Sequence, residues 1–265
     1  MRRSIIFLGR ASLDACTTVG ARVCLFYSTL WHLRFWGKRG LRIREAVFQM
    51  ARLGVRSIPL VVLVNLLIGA IIAVSLSPTL KELGVLDWIC MVTAVVQVRE
   101  LGPLMTALMM SGFTGAAIAA EIGSMAVAEE LVALEAQALP SEYFLVAPRL
   151  VGMIVMMPCL TLIADFSGIL GGFLVGVGML DIAPDTYYQN TIQSLTNADL
   201  WRGILIKSEV FAAIITITAC HLGITAKGGA QGVGNATIGA VVQSIVLIIA
   251  ANLILTILFN YTLSP

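Results

Sequence analysis

Twenty consecutive residues without a charge, Leu101 to Ala120, set the terms for this chain. Arg99 and Glu100 open the run and Glu121 closes it. As a helix it rises about 30 Å, the hydrocarbon thickness of a bilayer. Four more apolar stretches share its character. Ser57–Ser77 is uncharged and predicts a first span ended by Pro78. A third span runs from about Leu150 to Leu180 and holds Pro158 and Asp165. A fourth, Gly203 to Leu222, holds Lys207 and Glu209, and the fifth, Ala236 to Leu263, is uncharged throughout. Only 12% of the chain is charged, against about 25% in soluble domains. The apolar residues come in long blocks, which is the membrane pattern. The expected fold is an all-α integral membrane domain of five transmembrane helices over residues 57–265.

The net charge of +2 conceals an asymmetry. Residues 1–56 carry eleven of the seventeen basic residues and only two acids, Asp14 and Glu45. A basic block ahead of the first span places the N-terminus in the cytoplasm. It is not a cleavable signal peptide, because no short apolar run with a small-residue cleavage site follows the opening Met-Arg-Arg. The same block interleaves its cations with Trp31, Trp36 and Phe48, which suits one or two interfacial helices joined at Gly37–Gly40. This is a membrane surface and not a nucleic-acid patch. Five spans then leave the C-terminus outside. Arg149 and Lys227 fall inside, Lys81, Arg99 and Arg202 outside. Lys81–Arg99, with Trp88, is expected to lie at the far interface, and the acidic stretch Asp181–Trp201 to lie outside. The cysteines Cys16, Cys24, Cys90, Cys159 and Cys220 never form a CxxC pair and read as packing residues.

No nucleotide-phosphate loop, HExxH or GxSxG pattern is present, so no catalytic or metal site is expected. Polar residues within or beside the spans carry more information, since a charge in hydrocarbon costs about 2.5 kcal/mol or more. Asp165, Lys207 and Glu209 are candidates for intramembrane pairing, with Lys207 facing either Asp165 or Glu100. Asn65 and Asn252 lie deep in apolar runs. Two readings stand side by side for this set: a polar cavity lining, or glue between helices. Gly168, Gly172 and Gly176 recur every fourth residue and predict a smooth strip for close helix packing. Between spans two and three, Val127–Ala138 is amphipathic. Glu129, Glu130 and Glu135 lie on one side and Val127, Leu131, Val132 and Leu134 towards the other. An inert loop would not need this pattern, so the segment reads as a docking helix for a partner with Arg or Lys.

Three stretches resemble the MlaE/YrbE-type permeases of lipid-moving ABC transporters. They are RELGPLMTALMMSGFTGAAIAAEIGSMAVAEELVALEAQALPSEYFLVAPR (Arg99–Arg149), LTLIADFSGILGGFLVG (Leu160–Gly176) and GVGNATIGAVVQSIVLIIAANLILTILF (Gly232–Phe259). With the span spacing, the likeness runs from about residue 45 onward. It implies a homodimeric permease in a bacterial inner membrane, flanked by ABC ATPase subunits that hold the ATP and Mg. This chain itself would carry no cofactor. It also implies a periplasmic MCE-type lipid-binding partner and a STAS-domain regulator. Residues 126–140 would be the cytoplasmic coupling helix, with Glu129, Glu130, Leu134 and Glu135 meeting the ATPase. Phospholipid would bind between protomers, in a cavity lined by spans one, two and five. Arg99 and Glu100 would lie near its outer part, with Asn65, Leu101, Phe113 and Asn252 as further candidates. Phe113 stands where the family has Arg, and Ala138–Glu142 (ALPSE) where it has MGxDP.

The expected function is the permease subunit of an ATP-driven phospholipid transporter linking the inner and outer membranes. It is not itself an enzyme. One rival is a stand-alone secondary transporter with Asp165, Glu121 or Glu209 as proton sites. The other is a membrane anchor for a lipid-shuttle protein.

Overall fold

A computed structural model describes residues 17, 20–31, 43–137, 140 and 142–262. Among them all regular structure is helical. The expected turn at Gly37–Gly40, and Ala138, Leu139 and Ser141 of the ALPSE segment, lie outside the described residues. Five stretches are long and apolar enough to cross a membrane: Arg44–Glu82, Trp88–Val127, Phe144–Gly178, Asn197–Ile224 and Gly229–Tyr261. They are called spans one to five below.

Helix α1 covers 20–31. Helix α2 (Ile43–Gln49) passes through a π turn and a 3-10 turn into α3 (Ile58–Glu82), so span one is a single helical rod. The expected stop at Ser77–Pro78 does not occur. Proline lacks the N–H that would bond the carbonyl four residues back. Here Ser77 Oγ donates to that carbonyl, Val74 O, at 3.0 Å, and the helix continues past Pro78 to Glu82.

The second difference lies in span two. Trp88–Val96, within the segment expected at the far interface, forms α4, the first part of a forty-residue rod ending at Val127. Trp88 to Val98 carries no charge, and Ile89, Cys90, Thr93, Ala94, Gln97 and Val98 are buried. That apolar face belongs in the bundle. The rod continues through a π turn (Gln97–Leu101), α5 (Gly102–Met110), a second π turn (Ser111–Gly115) and α6 (Ala116–Val127).

A corner at Ala128–Glu129 leads to α7 (Glu130–Ala136). Glu129 sits at φ 60°, in the left-handed region that costs a non-glycine residue roughly 1 kcal/mol. Span three ends in α8 (Ala147–Gly178). Two short helices, α9 (Pro184–Ser194) and α10 (Asn197–Leu200), then lead through a π turn (Trp201–Lys207) into α11 (Ser208–Ile224). The last helix, α12 (Gly229–Thr262), runs without a break.

Small residues let these rods touch. A Cβ on Gly69 of α3 would lie 1.8 Å from Gly168 O, and one on Gly171 of α8 would lie 2.0 Å from Leu66 O. The α3–α8 contact is therefore backbone against backbone. The strip Gly168, Gly172 and Gly176 does a different job: it seats Gln97, Thr93 and the Tyr187 ring. Burial pushes the Tyr187 phenol up from its ordinary value, so it remains a neutral hydroxyl. The main core gathers Val61, Met110, Met157, Leu160, Phe211 and Ile248 from all five spans.

Candidate functional site

Two ion clusters and one buried polar layer stand out against this apolar frame. The first cluster grows from the π turn Gln97–Leu101. A π turn bonds residue i to i+5, here Gly102 N–H to Gln97 O, and widens the helix; such turns recur at functional sites. Glu100 leaves it towards spans four and five. Its Oε2 pairs with Lys207 Nζ at 2.8 Å and accepts from Asn252 Nδ2 at 3.0 Å. Its Oε1 accepts from Thr256 Oγ1 at 2.9 Å. Lys207 Nζ also donates to Arg99 O at 2.8 Å and to Thr256 Oγ1 at 3.0 Å, so all three of its hydrogens are used. Asn252 and Thr256 are four apart on α12 and share one face.

Arg99 turns the other way. Its Nε and Nη2 meet Asp199 Oδ1 and Oδ2 at 2.9 and 3.0 Å, the bidentate geometry of a strong charge-assisted pair. Asp199 is itself held by the capping box of α10, accepting from Thr196 N–H at 3.3 Å. A cleft of about 40 Å³, with room for one or two waters, opens between Arg99, Glu100, Asp199, Arg202, Lys207 and Asn260. The two ion pairs of the cluster tie spans two, four and five together.

The second cluster lies about 30 Å away along span two, one acid serving two cations. Glu121 Oε2 pairs with Arg52 Nη1 at 3.0 Å, and its Oε1 with Arg149 Nη2 at 2.9 Å. Arg149 also donates to Leu145 O at 2.7 Å. Spans one, two and three meet here. Beyond it, Glu129, Glu130 and Glu135 of the α7 corner are all exposed, Leu134 is half-buried, and Leu131 is tucked in. Val132 is 64% exposed, so the apolar side of α7 is narrower than its sequence pattern implies.

Level with the first cluster, on the side of spans one and three, Asn65 and Gln97 are fully buried, with Gln97 Nε2 donating to Asn65 Oδ1 at 3.1 Å. Asp165 lies against Gly102, where a Cβ would come within 1.6 Å of its Oδ1. Neither Asp165 oxygen has a hydrogen-bond partner among the described residues. Lys207 thus meets Glu100, and Asp165 sits in a separate layer. Glu209 is exposed on α11. Of the candidate cavity residues, Arg99, Glu100 and Asn252 come together. Leu101 is half-buried beside them, Asn65 belongs to the buried layer, and Phe113 is exposed in the second π turn.

Sequence reasoning missed Thr256, Asp199, Gln97 and Arg52. Two signals were available: the four-residue spacing of Asn252 and Thr256, and the Thr196-x-x-Asp199 capping pattern. No group of three or more His, Cys, Asp or Glu able to hold a metal occurs among the described residues.

The chain was then set against known proteins. A family model described as Permease MlaE matches residues 46–258, which takes in all five spans. A "Probable ABC transporter permease protein" of Rickettsia bellii is 40% identical over 211 residues, covering 80% of this chain and 81% of that one. The "Intermembrane phospholipid transport system permease protein MlaE" of Haemophilus influenzae is 31% identical, covering 79% and 80%. "Protein TRIGALACTOSYLDIACYLGLYCEROL 1, chloroplastic" of Arabidopsis thaliana is 31% identical, covering 82% of this chain and 61% of that one. A match of this extent, on a five-span helical membrane protein whose RELGP turn carries the central ion cluster, places the chain: it belongs to the MlaE permease family.

Proposed function

We propose that this chain is the transmembrane subunit of an ATP-driven phospholipid transporter in a bacterial inner membrane. Its N-terminus lies in the cytoplasm and its C-terminus in the periplasm. It works as a homodimer with ABC ATPase subunits below and an MCE-type lipid-binding protein above, with a STAS-domain protein as a further partner. ATP and Mg belong to the ATPase, and phospholipid passes through a cavity between the two protomers.

The observation that carries this reading is the contrast between the two ends of span two. At one end Glu100 is locked to spans four and five. At the other, the same rod turns a strained corner at Glu129 into a helix with three exposed acids. A force applied to α7 has a rigid path along span two to the cluster that holds three spans in register. The family match and the phospholipid-transport name of the Haemophilus relative supply the cargo.

The test is recovery of the tagged chain from its native membrane in gentle detergent, with protein and lipid mass spectrometry. An ATPase, an MCE-type protein and bound phospholipid are expected together. The triple variant E129K/E130K/E135K is expected to lower ATPase recovery by about tenfold, because like charges then face a basic groove. Wild-type recovery and turnover in that variant would remove α7 from the coupling role.

The unpartnered carboxylate of Asp165 favours one second reading, proton-coupled secondary transport. That reading requires gradient-driven lipid flux from the purified chain alone, abolished in D165N. Flux that needs the ATPase and ATP rules it out.

A further inference from the structure

A trough unrelated to either ion cluster lies between α1, α11 and α12. Its volume is about 400 Å³, and its walls include Val23, Phe26, Val210, Ile214, Ile217 and Leu247. Arg22 is the one charged residue among those lining it. The Arg22 guanidinium donates through Nη2 to Gln243 Oε1, while its Nε is buried with no hydrogen-bond partner among the described residues.

From Thr218 to Val210, the α11 residues that line the trough, the helix rises about 12 Å. That fits within half of a 30 Å hydrocarbon core, the depth of one leaflet. Apart from Arg22 the residues named in its walls are apolar, a surface suited to a methylene chain. Arg22 pairs with no carboxylate among the described residues, and a guanidinium left without a counter-ion at an apolar trough favours an anion with several oxygens, for which phosphate is the geometric match.

We propose that the trough holds one anionic phospholipid of the surrounding leaflet, its phosphate on Arg22 and one acyl chain along Ile217, Ile214 and Val210. This is a resident lipid on the flank of a single chain, and it goes beyond the transport reading. It fastens α1 to spans four and five whether or not the chain moves lipid.

The test uses the full chain, stripped of lipid in detergent and then offered phosphatidylglycerol or phosphatidylethanolamine, with bound lipid counted by native mass spectrometry. Wild type is expected to hold one phosphatidylglycerol more per chain than R22A. R22K is expected to keep it, and phosphatidylethanolamine to bind about tenfold less tightly. A213W fills the trough while leaving Arg22 in place, and is expected to lose the same lipid. Equal phosphatidylglycerol counts in wild type, R22A and A213W overturn the proposal. Equal uptake of the two headgroups overturns it as well, since the site would then not select a net anionic lipid.

Discussion

The two ends of the uncharged run Leu101–Ala120 in span two solve the same problem, a charge beside hydrocarbon, in opposite ways. At the Glu100 end two acids meet two cations one to one. Lys207 is only 2% exposed, Asp199 only 5%, and each has its own counter-ion, Glu100 at 35% and Arg99 at 49%. At the Glu121 end one carboxylate serves two guanidiniums, Arg149 at 5% and Arg52 at 43%. The first arrangement is a joint of matched pairs, each with one buried partner, shared among spans two, four and five. The second is an open surface with surplus positive charge beside the uncompensated acids of α7. A buried matched cluster resists rearrangement, because breaking it strands a charge. A wet and unmatched one can trade partners cheaply. The chain thus has one end suited to holding its spans together and one suited to meeting another protein.

The largest expected effect comes from opening the joint of matched pairs. E100A leaves the Lys207 ammonium buried without its carboxylate and should cost about 3 kcal/mol, the lower part of the range for a broken buried pair. The low figure follows because Glu100 is itself 35% exposed and because Thr256 Oγ1 and Arg99 O still accept from Lys207. The double variant E100A/K207M removes both charges and should recover most of that loss. Unfolding in detergent measures the cycle. A loss below about 1 kcal/mol in E100A would place the pair in the exposed class and erase the contrast.

A middle-sized effect is expected at the other end. Arg149 is 5% exposed and loses two bonds in R149A, to Glu121 and to Leu145 O. Glu121 keeps Arg52, so no acid is stranded, and the cost should be about 2 kcal/mol, the scale of hydrogen bonds to a charged group. An R149A variant less stable than E100A would reverse the ranking and make the Glu121 end the tighter joint.

Much of this frame was legible in the sequence because bilayer thickness and uncharged run length are the same quantity read two ways. The five spans, the pairing of Lys207 with Glu100 as one of two alternatives, and the glycine strip all follow from residue spacing. The continuity of Trp88–Val98 with span two was hidden for a physical reason. Lys81, Glu82 and Asp87 ahead of it and Arg99 behind make the window average look interfacial, while the residues between carry no charge. The run past Pro78 turned on one hydroxyl, Ser77, filling a gap that a breaker rule assumes stays open. Local spacing could mark Asp199 and Thr256 but not their partners, for another reason. Each gains its role from a partner about 100 residues or more away, Arg99 and Glu100, and no local pattern encodes that distance. Arg22 was counted with a basic block facing headgroups, and only the packing of α1 on spans four and five gives it a trough.

The smallest effect is the sharpest check on the open end. Arg52 and Glu121 are 43% and 32% exposed, so their attraction is felt through water, and holding two long side chains in register offsets part of it. R52A should therefore cost about 0.5 kcal/mol, and the difference from wild type should shrink further at high salt, where the Debye length falls to about 3 Å at 1 M. The E100A loss, with its ammonium almost wholly out of solvent, should hardly respond to the same salt. Measuring both variants at low and high ionic strength separates the two ends by a property that neither distance nor charge count can mimic. If the R52A loss exceeds about 1.5 kcal/mol and persists in salt, Glu121 is held as firmly as Glu100. Span two would then be clamped at both ends, with no free end for a partner to push.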